Sequence, residues 1–382
     1  MSEKRLLTFS LNFVALIGLL LSLWILVKPL SFSFWPDFNV YYHSAMVALH
    51  GQNPYSLKGI FVGGYLYPPV SLLIFFPLLL FSVVLAGKIW VGISIVCLIS
   101  SIYTLLKLFH SEKKFMVVCI TGILVCNYFP VKFTLGMGQL NMLTLLFATV
   151  ALYAISKNKS FLAGTIWGTA ITIKYFPLLI PAYFLVKKKW RIFFAMLASI
   201  IVLMALGVIV FKVAITRYFF ENIFFHLTSS VKIDYYNQAL SGFLLRDFKQ
   251  ISLTEVNIFR FVIFFAMLFL TGWVVLKKKT KKLQLLEIGI FINLSLLLNT
   301  FSWQHQFTLL IIPLIITWFT LQKYKLKWQY PMLLGISYLL TAINAKTPAA
   351  LPVIFQSHVF YGAFLLWVLD LYLLNNLPKH EK

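Results

Sequence analysis

Charged residues are scarce in this chain, and acidic residues are the scarcest of them. Among 382 residues, 10 are Asp or Glu and 33 are Lys or Arg, so that charged residues make up 11% of the sequence. A soluble domain carries about 25% charged residues. A soluble chain of this length would lack the polar groups needed to cover its surface, and we infer that lipid is the solvent for most of its side chains.

Cysteine is also scarce, and long polar stretches are missing. The three cysteines, Cys97, Cys119 and Cys126, all lie inside apolar runs. They have no metal-type spacing and indicate no disulfide framework. Because no polar stretch is long enough to form a separate soluble domain, we predict one integral membrane domain over residues 1–382.

Apolar residues dominate what is present. They make up 61% of the chain, and 38 residues are Phe. They form continuous runs and do not alternate with polar residues, as they would in a membrane β-barrel. A spanning helix needs roughly 20 apolar residues, which predicts an all-α polytopic membrane protein with about twelve transmembrane helices, some short or re-entrant. The candidate segments are 6–27, 69–86, 89–109, 115–129, 140–155, 161–186, 190–211, 256–276, 285–298, 307–321, 330–344 and 353–374.

The positive charge of the chain is grouped between these apolar runs. A net charge of +23 in a soluble protein would suggest nucleic acid binding. Short basic clusters at 187–191, 277–282 and 323–327 are instead typical of cytoplasmic loops under the positive-inside rule, and we expect no nucleic acid partner. The rule places two long loops, 28–67 and 212–255, on the outer side. Loops of that length often carry function, although an ordinary solvated loop remains the alternative.

The topology of residues 68–186 stays open. Twelve simple spans would put the basic clusters at 107–114 and 157–159 on the outer side, against the positive-inside rule. Both clusters move inside if 69–86 is re-entrant and 161–186 breaks into a hairpin. Pro177 favours such a break, because proline removes a backbone donor and disfavours helical geometry in the preceding residue.

Asp37 is the only carboxylate between Glu3 and Glu112, and it lies just beyond the first predicted span. From Pro36 onward the pattern fits a short helix on the membrane surface, with aromatic neighbours that prefer the membrane interface. A Pro followed by an Asp is also typical of a helix start, where the carboxylate caps free amides. Asp37 is therefore either a helix cap or a carboxylate at the lipid–water boundary that can act as a general base.

Other polar residues interrupt or border apolar runs, where they are costly. Each one alone is typical of a helix cap, a snorkelling cation or a packing hydrogen bond. Together with Asp37 they offer one carboxylate, one histidine, two cations and several amides, which suit a phosphorylated polar substrate. They are Gln139, Asn141, Lys174, Asn237, Gln238, Arg246, Trp303 and His305.

The order of these motifs resembles a known family over most of the chain. The motifs are Asp37-Phe38 with Tyr41-Tyr42, Gly51 to Tyr55, Tyr67-Pro68-Pro69 with Pro77-Leu78, Gly138-Gln139 with Asn141, Ala163-Gly164 leading to Lys174 and Pro177, Asn237-Gln238 with Arg246, and Trp303 with His305. The chain is similar to the polyprenol-phosphate-dependent mannosyltransferases of the DUF2029 type, glycosyltransferase family 87, which have the GT-C fold. It departs from them in one respect: many members have two adjacent histidines after the Trp, whereas residues 304–306 contain one.

The resemblance implies an inverting glycosyltransferase of the cytoplasmic membrane with its active site on the outer face. Such an enzyme moves a sugar, typically mannose, from a polyprenyl-phosphate-sugar donor to a glycolipid or glycan acceptor. Asp37 would be the catalytic base, and His305 would lie near the donor phosphate or the acceptor. The residues expected to bind the donor phosphate or substrate are Lys174, Arg246, Gln139, Asn141, Tyr67, Asn237, Gln238 and Trp303.

The residue types agree with this chemistry. A single displacement needs one base and no second carboxylate as nucleophile, and it needs positive charge for the leaving phosphate. Lys174, Arg246 or His305 would supply that charge. The remaining acids near the outer face have no metal-motif spacing, so we expect no metal or other cofactor. Those acids are Glu221, Asp234, Asp247 and Glu255.

Two other functions stay open at this point. A polyprenyl-lipid or solute transporter, or a flippase, would use polar residues on broken helices, and Lys174 near Pro177 fits that pattern, although no internal repeat is visible. A non-catalytic scaffold of an envelope assembly is the second alternative, but it does not explain why polar residues cluster at the outer helix ends.

Overall fold

The computed structural model describes residues 3–56, 64–175, 178–225, 234–248, 252–277, 283–345 and 347–378. Across these ranges the regular structure is helical, with no β-strand and one isolated bridge between Asn237 and Trp303. The α-helices are α1 (Glu3–Val27), α2 (Pro36–Leu49), α3 (Val83–Leu108), α4 (Phe115–Asn127), α5 (Phe129–Met137), α6 (Asn141–Ser156), α7 (Ser160–Ile173), α8 (Ile180–Val186), α9 (Trp190–Tyr218), α10 (Leu240–Asp247), α11 (Leu253–Lys277), α12 (Gln284–Leu298), α13 (Ile311–Lys323), α14 (Gln329–Ala342), α15 (Val353–Gln356) and α16 (His358–Asn376).

Six helical stretches of the described residues are long and apolar enough to cross a membrane. A seventh is added if α4 and α5, which are bent by 58° at their junction, count as one span. The chain is therefore an all-α polytopic membrane protein, as predicted. The count of twelve stays a prediction, because α6, α7 and α12 are apolar but shorter than a usual span. The six stretches are Leu7–Ser31, Val83–Leu108, Trp190–Phe224, Thr254–Lys277, Gln304–Lys323 and His358–Asn376.

The predicted helix over residues 69–86 is wrong. Two short 3-10 helices, Pro69–Ile74 and Phe76–Leu80, occupy most of this segment, and α3 begins only at Val83. The physical reason is proline: Pro69 and Pro77 each lie in the first turn of a 3-10 helix, where a missing N–H is tolerated, but neither fits the interior of one continuous helix. Whether the segment is re-entrant in the membrane stays a prediction.

Residues 161–186 do not form one continuous helix, and the break that the sequence left open is present. Helix α7 ends at Ile173 and α8 begins at Ile180, with Lys174 at the end of α7 in a non-helical conformation (φ −150°, ψ 81°). Pro177, to which the sequence attributes the break, lies outside the described residues. The break places a lysine where helix α7 stops, and not in the middle of a spanning helix.

The second long loop contains more helix than its sequence suggests. Helix α9 continues past residue 211 to Tyr218, although Lys212 has a positive φ of 67° inside it, and a π-helical turn, Phe219–Phe224, follows. Helix α10 then lies within the loop. Arg246 and Asp247 therefore lie on a helix, whereas Asn237 and Gln238 precede it in a non-helical segment.

Close helix packing depends on small residues at particular contacts. A Cβ atom at Gly164 or Gly168 of α7 would overlap the backbone oxygens of Ile192 and Met196 of α9. Two glycines four residues apart on one helix face let two helices approach closely in a membrane protein. This contact fixes α7, and therefore the position of Lys174 at its end.

A buried ion pair fastens helix α12. Glu287 has no exposed side chain surface, and its carboxylate accepts hydrogen bonds from Lys187 Nζ and Tyr183 Oη, both at 2.8 Å. Lys187 Nζ also donates to the carbonyl of Val275 at 3.2 Å. The ion pair therefore joins the end of α8 to α12, and the hydrogen bond to Val275 joins the same lysine to α11.

Candidate functional site

Asp37 lies in the first turn of α2 and faces a neighbouring segment. The N-cap position of α2 is Trp35, and no side chain caps the helix. Asp37 Oδ2 accepts a hydrogen bond of 2.5 Å from Gln139 Nε2, and the side chain is half-buried. Of the two alternatives that the sequence left open, the helix cap is therefore not what the structure contains.

Gln139 is positioned by the turn that ends helix α5. Gly138 has a φ of 70°, a left-handed conformation that glycine adopts without strain. The carbonyl of Gly138 accepts a hydrogen bond of 2.9 Å from Trp90 Nε1. A Cβ atom at residue 138 would lie 2.6 Å from Phe38 Cβ, so that glycine also allows α2 to approach. The turn therefore brings Gln139 next to Asp37.

The carbonyl end of the Gln139 side chain is surrounded by donors. Its Oε1 accepts hydrogen bonds from Tyr41 Oη at 2.7 Å, from Lys174 Nζ at 2.8 Å and from Tyr67 Oη at 3.4 Å. Tyr41 follows Asp37 by one helical turn on α2, so that both residues lie on the same face. Gln139 therefore connects the only carboxylate of this region with a lysine and two phenols.

Lys174 is almost completely buried, with 1% of its side chain exposed. Its ammonium donates to Gln139 Oε1 and, at 2.5 Å, to Asn141 Oδ1, and it lies 5.3 Å from the centre of the Tyr67 ring. A buried cation is stable only with such compensation. The break after α7 thus delivers its lysine directly to the segment that holds Asp37.

His305 is fixed by its backbone. Its carbonyl accepts hydrogen bonds from Asn141 Nδ2 at 2.7 Å, Thr134 Oγ1 at 3.1 Å and Thr308 Oγ1 at 2.7 Å. Asn141 therefore joins the lysine to the His305 turn. Asp37, Gln139, Lys174, Asn141 and the His305 backbone form one connected hydrogen-bond network, which we call the Asp37 network.

The His305 ring lies between aromatic side chains. Its centre is 5.5 Å from that of Phe133 and 6.0 Å from that of Trp303. Buried side chain atoms without a hydrogen-bond partner cluster here: Nδ1 of His305, both polar atoms of Gln304 and Oε1 of Gln306. Buried polar groups are rarely left unpaired. These atoms are therefore buried without a protein partner, and the scarcity of partners is a feature that the sequence does not reveal.

Asn237, Gln238 and Arg246 belong to a second group of polar contacts. The backbone of this segment pairs with the Trp303 turn: Gln238 N donates to Ser302 O at 2.7 Å, and Gln304 N donates to Tyr236 O at 2.9 Å. The Gln238 side chain donates to the carbonyls of Tyr235 and Gln356 at 2.6 and 2.8 Å. This group therefore holds the long loop against the turn that carries His305.

Arg246 acts as a clamp inside that second group. Its guanidinium donates to the carbonyls of Asp234 and Asn237 at 2.6 and 2.5 Å and to Ser357 Oγ at 3.1 Å. Ser357 in turn donates to Asp247 at 2.6 Å. Nη1 and Nη2 of Arg246 thus point to the loop and to the start of α16, and among the described residues no side chain hydrogen bond joins Arg246 to the Asp37 network.

The environment of Asp37 favours its protonated form. Burial raises the pKa of Asp37 to about 6, although the hydrogen bond from Gln139 and the charge of Lys174 act in the opposite direction. A carboxylate with a pKa near neutrality accepts and releases protons under ordinary conditions. This property suits proton transfer better than it suits a purely structural contact.

Three contacts of the Asp37 network were missed by sequence reasoning. Tyr41, Thr134 and Thr308 contribute hydroxyl groups to it. Only Tyr41 carries a usable signal, its helical spacing from Asp37. Among the described residues, no group of three His, Cys, Asp or Glu side chains could hold a metal ion.

Comparison with families of known proteins gives a match over the middle of the chain. The family model of glycosyltransferase family 87 matches residues 65–300 of the chain, which is more than half of its length. The matched region contains Tyr67, Gln139, Asn141 and Lys174, whereas Asp37 precedes it and the His305 turn follows it. The search of curated proteins finds no match.

Proposed function

The chain belongs to glycosyltransferase family 87, and we propose that it moves a sugar from a polyprenyl-phosphate-sugar donor to a glycolipid or glycan acceptor with Asp37 as general base. The donor sugar proposed from the resemblance is mannose. The observation that carries the proposal is the Asp37 network, in which a half-buried carboxylate with a raised pKa lies one amide away from a buried lysine.

The proposed step is a single displacement. Asp37 takes the proton of an acceptor hydroxyl, the oxygen forms a bond to the anomeric carbon, and the bond between that carbon and the phosphate oxygen breaks. The electron pair leaves with the polyprenyl phosphate, and the configuration at the anomeric carbon is inverted. This step needs one carboxylate. Among the described residues, Asp37 is the one carboxylate that takes part in the Asp37 network.

Asp37 is placed to perform the proton transfer. Its Oδ2 receives the Gln139 hydrogen bond, and none of the described residues donates a hydrogen bond to Oδ1, which leaves that oxygen to a substrate. The unpartnered polar atoms of Gln304, His305 and Gln306 support a polyhydroxylated or phosphorylated ligand on the neighbouring turn. Sugar and phosphate groups supply the donors and acceptors that such atoms need.

An apolar cavity supports a lipid-linked substrate. A cavity of about 380 Å³ lies between α4, α13 and α14, within the usual size range of ligand sites. One of its lining residues, Tyr128, donates to the carbonyl of Phe307, two residues from His305, at 3.3 Å. We propose that the hydrocarbon chain of a substrate lies here, with its head group next to the His305 turn. From the resemblance and from the placement of the basic loops, we propose that the active site faces the outer side of the cytoplasmic membrane.

Reconstitution of the purified protein in liposomes tests the proposal. Polyprenyl-phosphate-mannose and a membrane glycolipid extract are added, and new glycolipids are identified by mass spectrometry. We expect Asp37→Asn to fold normally and to lower transfer by about 10²–10⁴-fold, which is the usual contribution of a general base. Full activity of this variant would refute the mechanism.

Glu221→Gln is the matched control. It also removes one negative charge, but Glu221 forms an exposed pair with Arg217, away from the Asp37 network. We expect wild-type transfer from this variant. Uptake of the donor lipid or of a solute into the vesicles without any glycosylated product would instead favour a transporter.

A further inference from the structure

Of the residues in the Asp37 network, Lys174 is the one whose contacts in the structure differ most from the role that the sequence predicts. On the basis of the proposed function, we propose that Lys174 does not bind the donor phosphate but is a positioning residue, which orients the Gln139 amide toward Asp37 and balances the charge of that base. Gln139 is the second positioning residue of the same arrangement.

The burial of Lys174 argues against phosphate binding. Its side chain is 1% exposed, and two of its three N–H donors are used by Gln139 and Asn141. The Tyr67 ring covers another side of the ammonium at 5.3 Å. A phosphate would have to displace these contacts, whereas the polar atoms of the neighbouring turn, which are also buried, have no partner to displace.

The hydrogen bonds of Gln139 fix a single amide orientation. Its Oε1 receives the ammonium of Lys174 and the hydroxyl of Tyr41, and its Nε2 donates to Asp37. A flipped amide would direct its N–H donors at the ammonium and its oxygen at the carboxylate, so that both ends would repel. Lys174 therefore selects the orientation in which Gln139 supports the ionised form of Asp37.

The charge of Lys174 reaches Asp37 across that amide. The two contacts, 2.8 Å from Nζ to Oε1 and 2.5 Å from Nε2 to Oδ2, place the charges close enough to interact through the protein interior. Lys174 lowers the pKa of Asp37 against the effect of burial. Because opposite charges favour the ionised base, removal of the lysine should shift the pH dependence of transfer upward.

Among the residues that the structure describes, no other lysine or arginine is placed to replace Lys174. The titratable neighbours of Asp37 are phenols, Tyr41 and Tyr67, with Tyr65 packed against both. On the elements packed against α2, Lys132 of α5 donates to Asn127 at 3.2 Å, and Lys88 of α3 is exposed. On α2 itself, the His43 ring packs against Tyr42 at 5.5 Å.

The test is the pH profile of sugar transfer by Lys174→Met, with initial rates measured over a range of donor concentrations. We expect the pH of half-maximal activity to rise by about 1.7 units, which corresponds to two unit charges about 7 Å apart at an effective dielectric constant of about 20. We expect the donor KM to change less than about twofold. A donor KM raised tenfold or more, with the acid limb unmoved, would overturn the proposal in favour of a phosphate ligand.

Two further variants keep the test decisive if Lys174→Met does not fold. Gln139→Glu is nearly isosteric and brings a second carboxylate to Asp37, so that the two share a proton and the acid limb should move upward. An unmoved acid limb in this variant would also overturn the proposal. Lys132→Met is the matched control, and its acid limb should coincide with that of the wild type.

The outcomes separate this inference from the proposed function. If Asp37→Asn transfers sugar at the wild-type rate, the proposed base itself is wrong. If Asp37→Asn is inactive and Lys174→Met keeps the wild-type pH profile, the base stands and the role of Lys174 as a positioning residue is refuted.

Discussion

Gly138→Ala should damage the site without touching any of its polar groups. Residue 138 has a φ of 70°, and an alanine Cβ there would lie 2.6 Å from Phe38 Cβ and 3.1 Å from Trp35 Cβ. A non-glycine residue in the left-handed region costs about 1–2 kcal/mol. Overpacking of a well-filled contact adds about 1–3 kcal/mol. We therefore expect the free energy of unfolding to fall by about 2–5 kcal/mol.

The functional effect should exceed the loss of stability. Phe38 follows Asp37 directly on α2, and Gln139 follows Gly138, so that a new methyl group separates the two partners of the 2.5 Å hydrogen bond. A misplacement of about 1 Å lowers a rate by up to about 10²-fold. The assay is sugar transfer in liposomes at a temperature where the variant stays folded, with thermal unfolding in detergent measured in parallel.

Gly136→Ala is the matched control for this prediction. Gly136 lies two residues earlier in helix α5, and a Cβ atom there would meet no atom within 4 Å. Alanine is about 1 kcal/mol more favourable than glycine inside a helix, so that this variant should be at least as stable as the wild type and fully active. Wild-type stability and activity in Gly138→Ala would refute the reasoning.

Three further predictions concern pH, charge and the long loop. Sugar transfer should fall as the pH drops through about 6, because the base must be deprotonated and burial raises the pKa of Asp37 to that value; a flat profile across this region would contradict it. Lys187→Met should lower the free energy of unfolding by about 3–5 kcal/mol, because it leaves Glu287 buried and unpaired, and adding Glu287→Leu should restore most of the thermal midpoint. Arg246→Lys should lower the thermal midpoint and activity together, since lysine lacks the planar fork that holds the Asn237 carbonyl; an unchanged midpoint would exclude the clamp.

Much of the fold was predictable because residues that face a bilayer are mostly apolar, and long apolar runs can be recognised in the sequence. Long apolar runs identified α1, α3, α9, α11 and α16 correctly as helices. Such runs indicate that a side chain lies in an apolar environment, but they do not indicate which residues it contacts. Pro69 and Pro77 therefore lie in an apolar run that predicts one helix, although the backbone there forms two 3-10 helices.

The candidate site was predictable as a set of residues but not as a network. Asp37 and Lys174 stood out because a charge in an apolar region is costly and needs a reason. Which donor meets which acceptor depends on contacts between residues as far apart as 37 and 139 in the sequence. Sequence spacing carries no such information.

Arg246 illustrates the limit most clearly. In the sequence it is one of two cations suited to a phosphate, and Lys174 is the other. The structure directs the guanidinium at backbone carbonyls of its own loop, and it buries the ammonium against two amides. Residue type identifies both side chains as basic, but their surroundings decide which groups they contact.

The residues of the Asp37 network lie far apart in the sequence, and this distance has a consequence for biosynthesis. The chain is made from its N-terminus, so that Asp37 enters the membrane region long before Gln139, Lys174 and the His305 turn are available. The ribosome must add more than 260 residues after Asp37 before the last of these groups arrives. Partial translation products thus hold a carboxylate without its partners, and under the proposed function they should not transfer sugar.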